Sequence, residues 1–401
     1  MRIIVATIGS RGDVQPYINL CQGLLDAGHA VVLATNPTLL SLAAAHGVPA
    51  VPVGPPVDMG EAGARLLAQS FNNMWIGMIR VMQLGGRLVE EAYPDVLKAC
   101  HGADLVVVSD TGSGIAEAEK LGVPWISVTL QPGRIPSTQA ASSGLGRLVW
   151  SLLGRLLVAP TNRFRKRVGA PAVQDIASML SRRMILLPVS RYVAPPSTAW
   201  PAMICQTGYW FARQLPGWMP PPDLVEFIQA GEKPVAVSLG VMSQSGKQAR
   251  RSAELVLAAL AQSGVRAIIQ GWEAILQDMP LPRTVFHAGS LPHGWLFGQV
   301  SAVVHHGGFG TTAAGLRAGV PAIVIPHVID QFYWGQRVCE LGVGPKFVPR
   351  GQLSAEKLAV AITQCRQDDR LKQRAAELGS QICAEPDGVR AAVEAIENLI
   401  L

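Results

Sequence analysis

The octapeptide His305-His306-Gly307-Gly308-Phe309-Gly310-Thr311-Thr312 concentrates groups that hold an anion. It follows an apolar run at residues 303–305 and precedes a helical pattern, so it reads as a strand-to-helix turn. Glycines there let the backbone approach a ligand, and N–H groups at the helix start point outward with the positive end of the helix dipole. Thr311 and Thr312 add hydroxyl donors and His306 a side-chain donor. A diphosphate suits this set. The spacing fits neither the G-x-G-x-x-G dinucleotide fingerprint nor the lysine-bearing P-loop, which argues against dehydrogenase and NTPase chemistry.

A second polar turn, Gly9-Ser10-Arg11-Gly12-Asp13, follows the strand-like run at residues 3–8. A helix is expected from Pro16, with its apolar stripe on Tyr17, Leu20, Cys21, Leu24 and Leu25 and its end at Gly28. Asp13 just before a helix N-terminus should be stabilised in its charged form, ionised at neutral pH and able to take a proton from a hydroxyl nucleophile. The plain alternative is a helix cap. Asp110, after the strand-like run at 105–109, has the same two readings: a second polar group in the site, or a cap for the helix beyond Gly114.

The elements that must position these turns follow from length and punctuation. A chain of 401 residues, 49% apolar and 15% charged, fills two cores and excludes extended disorder. Its net charge of +6 carries no dense basic block, so it favours anionic ligands over nucleic acid. Six cysteines without C-x-x-C or zinc-ligand spacing read as buried reduced thiols, and no metal is assigned. The N-terminus lacks a signal-peptide pattern and no uncharged apolar run reaches the ~18 residues of a membrane span, so a cytoplasmic location is expected. Gly47-Val48-Pro49, Gly122-Val123-Pro124 and Gly319-Val320-Pro321 each place a glycine where a helix ends with positive φ, and a proline before the next strand. Strands are expected at 30–35, 105–109 and 125–130 in one half and at 235–239, 267–270, 303–305 and 322–325 in the other. The proline-rich stretch Pro216 to Pro222 reads as a linker, cutting the chain near 218. Doubly wound halves bind ligands at the carboxyl ends of their strands.

The run from Pro292 to Trp334 resembles the donor-binding signature of glycosyltransferase family 1, most closely the bacterial antibiotic and rhamnolipid glycosyltransferases and the sterol glucosyltransferases. Gly9-Ser10-Arg11-Gly12-Asp13-Val14-Gln15-Pro16 and Glu385-Pro386-Asp387-Gly388 extend the resemblance over nearly the whole chain. It implies an α/β chain of GT-B fold, two Rossmann-like doubly wound domains facing across a cleft. Residues 1–217 would bind the acceptor, 218–385 the nucleotide-sugar donor, and 386–401 would form a C-terminal helix packing back on the first domain. The resemblance implies that His306 touches the donor diphosphate, with Gly308, Gly310, Thr311 and Thr312 completing the cradle. It gives Asp330 and Gln331 the hydroxyls of the sugar, the backbone of His293 the pyrimidine edge, and Asp13 the role of general base. Three departures matter. Ala314 replaces a ribose-binding glutamate, leaving UDP and dTDP undistinguished. Ser290 replaces a base-stacking tryptophan, for which Trp272 or Trp295 would substitute. Val241 replaces a serine near the phosphates, so Ser243 or backbone groups would serve.

On the acceptor side, Phe71, Met74, Trp75, Met78, Ile79 and Met82 form a stripe at helical spacing. Met74, Trp75, Met78, Ser10 and Asp110 are the acceptor-side candidates. Residues 145–167 carry a leucine stripe ending in Arg163, Arg165, Lys166 and Arg167; this reads as a core helix with a solvated basic end, or as a peripheral contact with the inner membrane face. The expected activity is an inverting, metal-independent transfer of a hexose from a UDP- or dTDP-sugar to a hydroxyl of a lipophilic small molecule, with no cofactor, by a monomer or homodimer. The alternatives are a nucleotide-sugar epimerase, a lipid-linked cell-wall glycosyltransferase, and a non-catalytic sugar-nucleotide-binding regulator.

Overall fold

A computed structural model describes residues 1–57, 74–135, 158–175, 177–214, 217–240 and 247–400. Seven parallel strands form the first sheet: β1 (Arg2–Ala6), β2 (Ala30–Thr35), β3 (Ala50–Pro52), β4 (Leu105–Val108), β5 (Trp125–Val128), β6 (Ile185–Leu187) and β7 (Ile204–Gln206). Their order is β3-β2-β1-β4-β5-β6-β7. Five more form a second parallel sheet: β8 (Val235–Ser238), β9 (Ala267–Gln270), β10 (Val285–Ala288), β11 (Ala302–His305) and β12 (Ala322–Val324), in the order β10-β9-β8-β11-β12. The strands are short apolar runs because helices cover both faces; Leu-Val-Val-Val of β4 is buried throughout. In each sheet the order reverses beside one central strand, at β1/β4 and at β8/β11. Those switch points are where parallel α/β sheets leave a crevice at the strand ends.

Two-residue alternation sets the first core. Ile3 and Val5 of β1 point to the face covered by the Arg11–Asp26 and Gly388–Ile400 helices. Ile4 and Ala6 point to the face covered by Leu88, Ala92 and Val96 of the Met74–Cys100 helix and by Ile115 and Ala118. The Gly388–Ile400 helix lies close on Arg11–Asp26. A Cβ at Gly23 would collide with Val389, so glycine is kept in mid-helix despite costing about 1 kcal/mol of propensity. His29, in the turn beyond Arg11–Asp26, lies 3.1 Å from Glu397 of the last helix. The second core closes round Val235, Val237, Ile269 and Val304 with the Lys247–Ser263 and Ala355–Gln367 helices. By compactness the chain divides into one unit of Met1–Val57, Met82–Ala212 and Pro386–Leu401, and another of Asp58–Val81 and Arg213–Glu385.

The three Gly-Val-Pro junctions behave as their chemistry requires: Gly47, Gly122 and Gly319 take φ of 67°, 68° and 68°. Other expectations change. The first helix begins at Arg11, and Pro16 lies inside it. The Asp13 side chain accepts the Ser10 N–H and so fixes the helix start one turn earlier, while Pro16 leaves the Gly12 carbonyl without its helical donor. Strands β3, β6, β7 and β10 are only three or four residues long and carry too little alternation to stand out. Of the cysteines, Cys21, Cys100 and Cys365 are buried, Cys205 and Cys339 half-buried and Cys383 exposed.

No helix among the described residues is long and apolar enough to cross a membrane. The leucine stripe 145–157 lies outside them. Two of the basic residues beyond it are already paired. Arg165 turns inward, 3% exposed, onto Glu119, and Arg167 meets Glu90. The cationic face expected there is therefore smaller than the bare sequence suggests.

Candidate functional site

At the end of β1 the chain turns through Gly9, whose φ is 154°, into the Arg11–Asp26 helix. A Cβ on Gly9 would stand 2.6 Å from Asp13 Oδ2, so the glycine makes room for the carboxylate. Ser10 donates to that oxygen twice, from its N–H at 2.7 Å and its hydroxyl at 2.8 Å. Asp13 thus caps its own helix. The direction of its pKa shift differs from expectation. Though the side chain reaches solvent, desolvation by the protein around it raises its pKa above the ordinary aspartate value. The Ser10 hydrogen bonds and Arg134 pull it down, and Asp110 pushes it further up. Loss of water outweighs the helix terminus.

Asp110, beyond β4, does not cap the helix after Gly114. It reaches across to the segment following β5, where its Oδ2 accepts the Leu130 N–H at 3.0 Å and its Oδ1 lies 3.4 Å from Arg134 Nη1. Arg134 also donates to the Asp110 carbonyl at 3.2 Å. Asp110 and Arg134 thus join the segments that follow β4 and β5, and the charges of both bear on Asp13 and on the buried Tyr17. Sequence reasoning missed Arg134 and Tyr17. Met74, Trp75 and Met78 lie in the first turns of the Met74–Cys100 helix; their side chains, like all of Phe71, fall outside what is described.

In the second unit, β11 ends at His305, Gly307 turns with φ of 89°, and the Phe309–Ala318 helix starts at Gly308 with no acidic residue in its first turn. Its first N–H groups have no acceptor within the helix. His305 is fully buried; its Nδ1 accepts the Gly307 N–H at 3.0 Å, and burial pushes its pKa down to about 3. His306 is half-buried beside the helix start. A Cβ at Gly308 would fall on its Nε2, and one at Gly240 would stand 2.9 Å from its Cε1. Both glycines therefore exist to admit this ring, which no spacing argument revealed for Gly240. Burial pushes the His306 pKa down to about 4, against the pull of the Ser238 backbone. Its Nδ1 has no hydrogen-bond partner among the described residues.

Neighbouring groups partition their work. Thr312 donates its hydroxyl to the Gly308 carbonyl at 2.9 Å, inside the helix. Thr311 is buried, while a Cβ at Gly310 would meet nothing within 4 Å. Gln331 Oε1 accepts the N–H of His327 at 2.7 Å and of Val328 at 3.2 Å, which leaves the amide N–H as its group for a ligand. Asp330 is exposed in the first turn of the Ile329–Glu340 helix. His293 stacks on Phe297 at 4.6 Å and stands 3.5 Å from Ser238 Oγ. His327, 6.4 Å from the His306 ring, and Arg350, which acts on His327, complete a cluster at the ends of β8, β11 and β12 that sequence reasoning left out. Trp272 is 2% exposed in the core and is excluded as a base-stacking platform; Trp295, half-buried against Trp218 at 5.4 Å, is the accessible one. Ala314 packs on the core beside it. Ser243 and Val241 lie outside the described residues.

Residues 3–135 match the glycosyltransferase family 28 N-terminal domain, and residues 254–399 the erythromycin biosynthesis protein CIII-like C-terminal domain. Sterol 3-beta-glucosyltransferase of Emericella nidulans is 32% identical over 424 residues, covering 99% of this chain and 30% of its own. Its counterpart in Penicillium rubens is 33% identical over 428 residues, with the same coverage of 99% and 30%. The chain belongs to the family-1-type glycosyltransferases. It spans about a third of the length of the curated relatives it matches. Among solved structures, the glycotransferase of kitacinnamycin superposes with a TM-score of 0.75 at 19% identity over 99% of this chain and 98% of the other. The glycosyltransferase VinC in complex with DTDP superposes at 0.71 with 19% identity over 100% and 99%. The glycosyltransferase thus has the GT-B fold of two parallel-sheet α/β domains. Its switch-point turns after β1 and β11 are the places where such sheets carry ligands.

Proposed function

We propose that this glycosyltransferase moves a hexose from a UDP- or dTDP-sugar to a hydroxyl of a lipophilic small molecule, with inversion and without a metal ion. The observation that carries the donor half is the acid-free start of the Phe309–Ala318 helix with the His306 ring seated between Gly240 and Gly308. Such a terminus offers oriented N–H groups to a diphosphate. Arg350 and the amide N–H of Gln331 add donors from the same cluster. A structural neighbour bound to DTDP and another complexed with thymidine diphosphate support a pyrimidine nucleoside diphosphate. Relatives described as sterol 3-beta-glucosyltransferases support a lipophilic hydroxyl acceptor.

The chemistry follows from charge. The acceptor oxygen attacks the anomeric carbon while the bond from that carbon to the diphosphate oxygen breaks, and the leaving group keeps the electron pair. Asp13 takes the hydroxyl proton. A carboxyl raised above the ordinary range is the better base, and removal of such a group typically costs ~10²–10⁴-fold in rate. N–H donors fixed at the helix start stabilise the departing diphosphate without reorganisation. The test is turnover of UDP-glucose and dTDP-glucose with a sterol acceptor by the wild type and Asp13→Asn, read beside the thermal shift given by the free nucleoside diphosphates. Lost turnover with an intact shift supports the reading. Full turnover by Asp13→Asn removes Asp13 as the base, and no shift with either nucleotide removes the donor site.

A further inference from the structure

Three polar side chains stand in one row at the carboxyl rim of the second sheet. Gln270, Ser238 and His305 are the last residues of β9, β8 and β11, they pair across the strands in register, and each is buried. Alternation puts them on the face of Ile268, Ala236 and Val303, against the Phe309–Ala318 helix. Each meets a turn above the rim. His305 holds the Gly307 N–H, and Ser238 Oγ lies 3.5 Å from His293 Nε2. Gln270 Nε2 donates to the Gly289 carbonyl at 3.4 Å and to the Leu291 carbonyl at 3.2 Å. Because both contacts are carbonyls, only the NH₂ end of the amide can face them. The Oε1 of Gln270 is then buried with no hydrogen-bond partner among the described residues. A methionine would fill the slot without stranding that oxygen, so the amide is costly for stability and what it contributes is its two donors. The strand end beneath it is pinned: the chain leaves through left-handed Gly271 and Trp272, with φ of 90° and 60°, and His287 Nε2 donates to the Gly271 carbonyl at 2.9 Å.

The proposed diphosphate site sets what that loop can meet. The His306 turn rises from β11, and His327 and Gln331 flank it from beyond β12. On the other side of β11 stand β8 and then β9, two strand spacings or ~10 Å away, about the reach of a ribose and a base from their diphosphate. Residues 289–293 close over that span, from the Gln270 contacts to the His293 contact with Ser238, and Gly289 and Ser290 are exposed there. We infer that Gln270 is a positioning residue for nucleotide specificity: its two hydrogen bonds hold residues 289–293 in the shape that meets the base, and so favour the nucleoside without touching the diphosphate. This rests on the donor-site reading above. Gln270 is 8% exposed and spends both contacts on the loop, so it acts through that backbone and not on the ligand. A backbone edge separates one base from another only while its donors and acceptors are held in place, and loosening it adds an ordering cost to binding.

The test is calorimetric titration of UDP, ADP and inorganic pyrophosphate into the full chain, for wild type, Gln270→Met and Gln270→Glu. Gln270→Met keeps the shape and removes both donors, so UDP affinity should fall roughly tenfold, the preference for UDP over ADP should narrow, and pyrophosphate affinity should not move. Gln270→Glu sets a carboxylate against two carbonyls and should lose more. Protonation returns one donor to it, so its UDP affinity relative to wild type should recover as pH falls from about 8 to about 5. A purely structural role would not produce that rescue. Unchanged UDP affinity in both variants overturns the proposal, as does an equal loss of UDP and pyrophosphate. If Gln270→Met does not fold, the pH-dependent rescue of Gln270→Glu decides, and its absence overturns the proposal. Wild type that binds pyrophosphate as tightly as UDP also overturns it, while leaving the diphosphate site standing. Wild type that binds neither removes the donor site itself.

Discussion

Two helix starts in this molecule share a setting and differ in charge. Each follows a strand that flanks the switch point of a parallel sheet, each passes through a positive-φ glycine, and each opens a helix with its N–H groups outward. The turn after β1 brings its own anion: Asp13 takes two hydrogen bonds from Ser10 and closes the helix start on itself. The turn after β11 has no acid in its first turn and sets a neutral imidazole beside it, between two glycines. The same dipole thus supports opposite sites, one holding a resident carboxylate and one open to a visiting anion. Alternating which partner carries the negative charge is what the proposed function asks of the two turns, one as base and one as binder for the leaving group.

The largest effect should come from the resident anion. Asp13→Asn removes the proton acceptor but keeps an oxygen for the Ser10 donors, so turnover should fall ~10²–10⁴-fold while the nucleotide thermal shift stays. If both vanish, the two turns are not separable and the contrast fails. Next comes the visiting site. In Gly308→Ala the new Cβ would occupy the position of His306 Nε2, so the ring must leave its seat. Nucleoside diphosphate affinity, followed by calorimetric titration, should drop by about tenfold or more, ~1.4 kcal/mol or greater, with kcat affected less than KM.

How much of this was legible depends on the range of the interaction. The Gly-Val-Pro junctions are local: a glycine that must take positive φ and a proline that cannot continue a helix declare themselves within three residues, and all three do so. The glycine-rich loop is legible for the same reason. Gly240 as a wall of the His306 seat is not, because 66 positions separate the two residues and only the pairing of β8 with β11 joins them. That the Gln331 oxygen is taken by the backbone of His327 and Val328, leaving its amide N–H, is likewise invisible in the sequence. That the Thr312 hydroxyl turns back to Gly308 is equally hidden in the sequence. Asp13 reads as a stabilised anion because a helix terminus is visible in sequence while desolvation is not. Trp272 could not be told from a surface platform without its burial.

Smaller tests sharpen the contrast from the side of stability. Glu117 is 1% exposed, accepts the Gly114 N–H at 3.0 Å, and has its pKa raised by burial from 4.5 to about 7. The folded chain binds this proton more tightly than the unfolded one, so the stabilisation is complete below pH about 4.5 and is lost as pH rises to about 7. Glu117→Gln should remove that slope and be more stable than wild type above pH 7 by an order of 3 kcal/mol, measured by urea unfolding at several pH values. A parallel pH dependence in both proteins contradicts it. Thr312→Val should cost ~0.5–1.5 kcal/mol of stability through the lost bond to Gly308 and leave diphosphate binding unchanged. Weakened binding would put that hydroxyl back among the ligand donors.

The most direct measurement is calorimetric titration of UDP and dTDP, in buffer containing a chelator, into wild type, Asp13→Asn and His306→Ala. A visiting anion at the second turn predicts binding to wild type and Asp13→Asn and its loss in His306→Ala. Binding that survives His306→Ala, or that disappears in Asp13→Asn, contradicts the assignment of the two turns.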